Sequence, residues 1–471
     1  MKIDMTEGKI AQNITRFSVP VLITSICSIM FGMVDAMMLG QFVDAKALGS
    51  VSSCSSVIAL FMFLSSGFAV GYRVIIGQLF GAGRRRHAKE AFLTALFFMG
   101  GLSLLITSMG TAFSRPMLRL LGTVPELLEG ADLYIKVYFL GIALIIFRDG
   151  INNIFYALGE TRVPMYMQIA NTMLHILLNF VLLKYFQAGI IGVALAGIIS
   201  RGVTLIPLAI KIIKTFAAFP KAHLYFSRPS AKNFVKIGVP SCLGNALGNI
   251  QMLLMTRLIN SCGTAVVTGN SISSQINNLA FLFTNTVASA AGSFAAQNYG
   301  AGHIRRIKNC CYICIAINVA YSGVMLVLIK LLGAQMVNAF LGGNTEPQLA
   351  EAIRDFSLRY LNVIAYCYVI YGVGHVCSEM LRSVGKVNLQ IFSMIMGMIT
   401  RLSLAYGLIG VIGDRVIYWS IPTNWMVYYF IQSAYFICMR WMPHFRGVRN
   451  SKAALAPRHK GIKETLSDIN H

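Results

Sequence analysis

Polar positions in this chain fall in short clusters that separate long apolar runs, of which Ala91–Ala112 and Cys314–Ile329 are two. Several runs approach or exceed the ~20 apolar residues a helix needs to cross a hydrocarbon core. The pattern predicts twelve such helices, at about 17–39, 48–72, 91–114, 133–157, 164–184, 189–213, 236–258, 264–295, 309–333, 355–380, 387–409 and 417–440. Residues 1–16 are polar. The apolar run from Phe17 is followed by no small-residue cleavage site, so a retained helix is expected there rather than a signal peptide.

Composition sharpens this picture. Of 471 residues only 12% are charged, against roughly 25% in an ordinary globular protein. Hydrophobic residues make up 56%, and the mean hydropathy is +0.66. A disordered chain, a secreted disulfide scaffold and a cytosolic enzyme are excluded. The class is an all-α polytopic membrane protein.

A net charge of +23 and a pI near 9.8 would also suit a nucleic-acid binder. The positions of the cations argue otherwise. Arg84–Arg86 with Lys89, the Lys211–Lys236 group, Arg305, Arg306 and Lys308, and Arg446, Arg449 and Lys452 all fall on one side of a twelve-span chain. The other side receives scattered cations such as Lys46, Arg115, Lys184 and Arg415. By the positive-inside rule the rich side is cytoplasmic. Both termini are therefore expected in the cytoplasm of a bacterial cell, and nucleic acid is not an expected partner. The ten cysteines are mostly single and apolar in context, and Cys311-Tyr-Ile-Cys314 lacks the second pair a structural metal site needs. They read as packing residues.

The chain also repeats itself. Val19-Pro20 returns as Val239-Pro240, and Gln78-Leu-Phe-Gly81-Ala-Gly83 returns as Gln297-Asn-Tyr-Gly300-Ala-Gly302. Cations follow both Gly-Ala-Gly turns, which read as glycine helix stops and not as phosphate-binding loops. Each repeat holds six spans, so the halves are parallel and related by an axis along the membrane normal. The implied organisation is a cytoplasmic segment 1–16, an N-lobe 17–213, a cytoplasmic linker 214–235, a C-lobe 236–440 and a cytoplasmic tail 441–471. Such repeats are a recurrent transporter architecture, with a site near the midplane between the two pseudo-symmetric six-helix lobes.

The residues now carry a resemblance. Thr6-Glu-Gly8 before Val19-Pro20, Val34-Asp35-Ala-Met-Met-Leu-Gly40, the duplicated Gln-x-x-Gly-Ala-Gly turns and Gly192-Val-Ala-Leu-Ala-Gly-Ile-Ile-Ser200 resemble the multidrug and toxic compound extrusion (MATE) family over about residues 6–440. The resemblance implies twelve helices in two six-helix lobes around a central cavity and cation-coupled antiport that exports organic compounds by alternating access; a monomer with no cofactor, surrounded by membrane lipid, is expected.

Acids within the spans are few, and a carboxylate in the bilayer costs about 2.5–3.5 kcal/mol on insertion scales, which marks Asp35 as functional. In proteins this chain resembles, an acid at the matching position binds the coupling proton or sodium ion. Asn179, Asn153 and Tyr138 match that site's partners. A second acid of the family site falls at Leu183, and a threonine falls at Gly197. Sodium prefers several oxygen ligands and a proton needs one carboxylate, so a proton is the expected coupling ion. In the C-lobe, His375 and Glu379 share a helical face at spacing i, i+4. Asn245, Asn249, Gln251, Asn277, Asn278 and Asn285 are further cavity candidates. Arg148, Arg201 and Arg401 are intramembrane cations, and Arg401 in particular leaves an anionic substrate open. The alternatives are a lipid-linked precursor flippase or a metabolite exporter of the same superfamily, and a membrane enzyme, for which the sequence shows no convergent catalytic set.

Overall fold

The computed structural model describes residues 4–43, 45–120, 123–223, 225–341 and 346–438, so Arg446, Arg449, Lys452 and the expected tail lie outside the described residues. The described residues form helices and no strand. They are α1 (Ile10–Phe42), α2 (Ala45–Gly81), α3 (Arg85–Ala112), α4 (Ser114–Leu120), α5 (Pro125–Leu140), α6 (Ile142–Ala157), α7 (Arg162–Lys184), α8 (Gly189–Ala217), α9 (Arg228–Asn260), α10 (Thr264–Ala301), α11 (Ile304–Phe340), α12 (Pro347–Ser383), α13 (Val387–Ile412) and α14 (Arg415–Ile437).

Nine of these helices are individually long and apolar enough to cross a membrane, and α5 with α6 makes a tenth crossing. Of the three left, α4 has only seven residues and does not span, and α9 and α14, of 33 and 23 residues, make the other two crossings. Their hydropathy is lower because α9 carries Asn245, Asn249 and Gln251, and α14 is rich in tyrosine and tryptophan. Twelve crossings result. Several helices extend past the expected spans into polar sequence, as α2 does to Gly81 and α9 from Arg228. Helical backbone is satisfied internally, so it continues beyond the hydrocarbon without cost.

The fourth crossing departs from expectation. In place of one helix at 133–157, α5 and α6 meet at 51° around Gly141. A Cβ at Gly141 would lie 2.5 Å from the side chain of Ile198, so α8 packs closely against the bend.

The two lobes, α1–α8 and α9–α14, meet most closely at the end that carries Arg84–Arg86 and Arg305-Arg306, here called the basic end. The duplicated turns lock into each other there. A Cβ on Gly81 would collide with the backbone carbonyl of Gln297, and a Cβ on Gly300 with that of Gln78. Only glycine lets the two helices approach this closely. The glutamines complete the symmetry. Gln78 Nε2 donates to the Ser383 carbonyl and Gln297 Nε2 to the Ala157 carbonyl, each at 2.7 Å. Each therefore caps the last turn of a helix in the opposite lobe, α12 or α6. Gly83 and Gly302 then end α2 and α10 in the left-handed region, at φ +71° and +85°.

A buried ionic cluster lies behind this seam. Arg73 of α2 donates to Glu379 of α12 at 2.9 Å and to Ser289 of α10 at 2.8 Å, while Arg382 holds the other oxygen of Glu379 at 3.0 Å. Met5 and, on α1, Ile14, Phe17 and Val21 enter an apolar core shared with C-lobe residues such as Phe294, Cys310, Cys314 and Val376.

Gly81→Ala and Gly300→Ala should each destabilise the purified protein by about 1–3 kcal/mol, the usual cost of overpacking. Gly100→Ala, where a Cβ meets nothing within 4 Å, is the control. Thermal melts in detergent check this; equal melting temperatures for all three variants would remove the seam as a close contact.

Candidate functional site

The site begins on α7. Asn171, His175 and Asn179 follow at i, i+4 and i+8 and share one face, all three buried. That face packs against α1, where Phe31 and Asp35 are likewise four residues apart. His175 Nε2 lies 2.7 Å from Asp35 Oδ1, and Asn179 Nδ2 donates to the same oxygen at 2.9 Å. The imidazole stacks on the Phe31 ring, with centroids 3.6 Å apart and planes at 9°. Arg201 of α8 places its guanidinium 4.1 Å from the same ring and donates to the Gly197 carbonyl at 3.1 Å. A Cβ at Gly197 would lie 3.0 Å from Arg201 Nη1, 3.7 Å from Phe31 and 3.8 Å from His175. A Cβ here would press on the Arg201 guanidinium and meet Phe31 and His175 at ordinary contact distance. Leu183, where the family acid is also missing, is buried in the N-lobe core.

The hydrogen bonds around Asp35 can be arranged in two ways. The imidazole Nε2 is also 3.0 Å from Asn179 Nδ2, and it cannot donate to the carboxylate and accept from the amide together. With Asp35 ionised, Nε2–H and Asn179 both donate to Oδ1. With Asp35 protonated, Nε2 becomes the acceptor. His175 Nδ1 has no hydrogen-bond partner, so either tautomer fits without breaking another contact.

Beside this cluster lies a cavity of about 440 Å³ between α1, α2, α5, α6, α7 and α8. The bend at Gly141 turns Tyr138 of α5 and Arg148, Asp149, Asn152 and Asn153 of α6 toward it. Asn153 donates to the Asp149 backbone carbonyl at 3.0 Å. The four expected coupling residues therefore divide. Asp35 and Asn179 are in direct contact, whereas Asn153 and Tyr138 stand in the cavity wall. His175 and Asp149 were not singled out as site residues. The i, i+4, i+8 spacing of Asn171, His175 and Asn179 was the available signal. Arg148 makes no ion pair within 4 Å with its chain neighbour Asp149 and donates to Gln168 at 2.8 Å.

In the C-lobe, Asn245 and Asn249 line a second cavity of about 230 Å³ together with Arg382, and Asn245 also donates to Ser66 of α2. Glu379 is not a cavity group: Arg73 and Arg382 take its two oxygens in the interlobe cluster. His375, four residues earlier, stacks on Tyr371 at 5.3 Å and meets the Tyr429 hydroxyl at 3.5 Å. Asn277 accepts from Tyr368, so it ties α10 to α12, while Asn278 is exposed on α10. Asn285 accepts from Tyr371, and Gln251 is buried on α9. Arg401 lines neither cavity, and its Nε is buried without a partner.

The MatE family model matches residues 20–181 and 240–407, one block in each lobe. The chain belongs to the MatE family of multidrug efflux transporters. This MatE protein is 24% identical over 385 residues to the probable multidrug resistance protein YpnP of Bacillus subtilis, covering 82% of this chain and 85% of that one. It is 23% identical over 420 residues to the multidrug export protein MepA of Staphylococcus saprophyticus, covering 88% and 91%. Its fold matches that of a transporter from Pyrococcus furiosus, whose structure is described as having a binding pocket of reversed polarity, with a TM-score of 0.85 at 20% identity over 94% of this chain and 98% of that one. An outward-facing multidrug resistance MATE transporter matches with the same score at 19% identity, over 95% and 99%.

The contact between Asp35 and His175 can be measured by a double-mutant cycle with Asp35→Leu and His175→Leu, read by unfolding in detergent. The coupling energy should be about 1 kcal/mol or more, within the range for contacting residues. Strict additivity would mean that the two side chains do not interact.

Proposed function

We propose that this protein exports amphiphilic organic compounds across a bacterial cytoplasmic membrane in exchange for protons, and that Asp35 is the proton-binding group. The observation that carries this reading is the continuity of the site. Asp35 contacts His175, His175 stacks on Phe31, and Phe31 contacts Arg201 in the wall of a cavity large enough for a drug-sized ligand. The names of the multidrug relatives support the same cargo class.

The positive-inside rule makes the basic end cytoplasmic, with both termini on that side. The interlobe seam then closes the cytoplasmic side, which corresponds to an outward-facing carrier. A proton arriving from outside neutralises Asp35. The carboxylate no longer draws the His175 and Asn179 donors, and α1 and α7 lose the charge-assisted part of their contact. That change biases the packing of α1 and hence of Phe31 against the cavity. Proton release to the cytoplasm restores the contact, and the gradient supplies the free energy of the cycle.

Sodium is the weaker reading. The Asp35 oxygen in contact with α7 faces nitrogen donors, whereas a sodium ion needs further oxygen ligands, and the positions that would add them are Leu183 and Gly197. A flippase is the second reading: twelve crossings and Asp35 favour the antiporter, and Arg401 lines neither cavity.

In proteoliposomes, an inward proton gradient should drive export by the wild type. Asp35→Asn should abolish that coupled transport while substrate binding persists. Robust transport driven by sodium alone, with the pH clamped equal on both sides, would overturn the proton reading.

A further inference from the structure

The N-lobe cavity contains a charge arrangement that proton coupling does not require. Its wall holds two guanidinium groups, Arg148 and Arg201, against one carboxylate, Asp149. Neither arginine forms an ion pair within 4 Å among the described residues, although both sit where the membrane makes an unpaired cation costly. Asp35 does not supply the missing partner, since it stands behind Phe31 and is already met by His175 and Asn179.

The wall is also a built site with unused hydrogen-bonding capacity. Arg148 is 5% exposed and fixed by Gln168, yet its Nε has no partner. Asn152 and Asn171 are 9% and 1% exposed, and the Oδ1 of each is unpartnered. Arg201 is held at one nitrogen by the Gly197 carbonyl and over the Phe31 ring, which leaves other donors of its fork unused by those contacts. Phe31, Tyr156 and Met62 supply apolar surface around these groups. Two cationic forks, two amide acceptors and an apolar wall complement one kind of molecule: an organic anion with an aromatic or aliphatic body and a hydroxyl or amine donor.

We propose that the N-lobe cavity binds amphiphilic organic anions, with a carboxylate, sulfonate or phosphate group held between Arg148 and Arg201 and donors on the ligand met by Asn152 and Asn171. Guanidinium forks match such oxyanions in geometry as well as charge. Asp149 limits the affinity by placing a like charge in the same wall. The inference rests on the transport reading for its setting, but it concerns binding alone and needs no proton gradient.

The test uses the full-length protein in lipid nanodiscs and two dyes on one xanthene scaffold, anionic fluorescein and cationic rhodamine 6G, with binding read by fluorescence anisotropy. Wild type should bind fluorescein more tightly than rhodamine 6G. Arg148→Gln and Arg201→Gln should each weaken fluorescein about tenfold or more, as expected for loss of a charge-assisted hydrogen bond, without weakening rhodamine 6G. Asp149→Asn should tighten fluorescein, a gain that misfolding cannot produce. If a glutamine variant does not assemble, Asp149→Asn decides alone. Unchanged fluorescein affinity in the variants, or a wild type that binds rhodamine 6G only, would overturn the proposal. Nanodiscs of phosphatidylglycerol and phosphatidylcholine separate the sources of the anion. Equal fluorescein affinity in both supports a free organic anion. Competition by phosphatidylglycerol that disappears in Arg201→Gln supports the same site filled by a lipid headgroup.

Discussion

Two glycines set how closely the halves of this transporter meet. Where α2 crosses α10, Gly81 and Gly300 bring each helix onto the backbone of the other, and no larger residue fits at either point. Membrane helices gain little from the hydrophobic effect when they associate, because lipid is as apolar as their side chains. Close backbone approach and interhelical hydrogen bonds must do the work. The crossing supplies both, since it brings Gln78 and Gln297 within reach of carbonyls at the ends of α12 and α6. The Arg73–Glu379–Arg382 cluster depends on the same approach. Such a cluster adds modest stability when complete and costs about 3–5 kcal/mol when one member is removed. That asymmetry suits a junction that has two states, joined or apart.

α1 connects this junction to the carboxylate. Its first turns bury Ile14 and Phe17 in a core shared with the C-lobe, and its later turns carry Phe31 and Asp35 to α7. Pro20 lies between the two regions and has no N–H to donate to the Arg16 carbonyl, while the Thr24 hydroxyl donates to the carbonyl of Pro20 itself. One helix therefore touches the seam at one end and the Asp35–His175 contact at the other, with a weakened segment between. A change in charge at Asp35 and a change in the seam can be linked through α1 without any other moving part.

Much of this was legible in the sequence. The apolar periodicity announced twelve crossings, and the duplicated turns announced the lobe symmetry, because both follow from patterns repeated at fixed distances. Asp35 stood out as a carboxylate in an apolar run. The bend at Gly141 was hidden, since Gly141 and its packing partner Ile198 are unremarkable within apolar sequence and meet only in the fold. Glu379 was legible as a buried acid but its partner Arg73 lies 306 residues away, a distance no local spacing encodes. His175 was available from its spacing on α7, yet a histidine in an apolar stretch gives no sign of which helix it faces.

If the Arg73–Glu379–Arg382 cluster holds the seam closed, removing its carboxylate should let the lobes part. Spin labels at positions 84 and 305, exposed sites just past the two turns, report that separation through pulsed electron–electron distance measurements in nanodiscs. Wild type should give a narrow, short distribution. Glu379→Gln, which leaves Arg73 and Arg382 without their carboxylate, should add a longer population as the lobes part at the basic end. An unchanged distribution in Glu379→Gln would show that the cluster does not hold the seam, and would contradict the account.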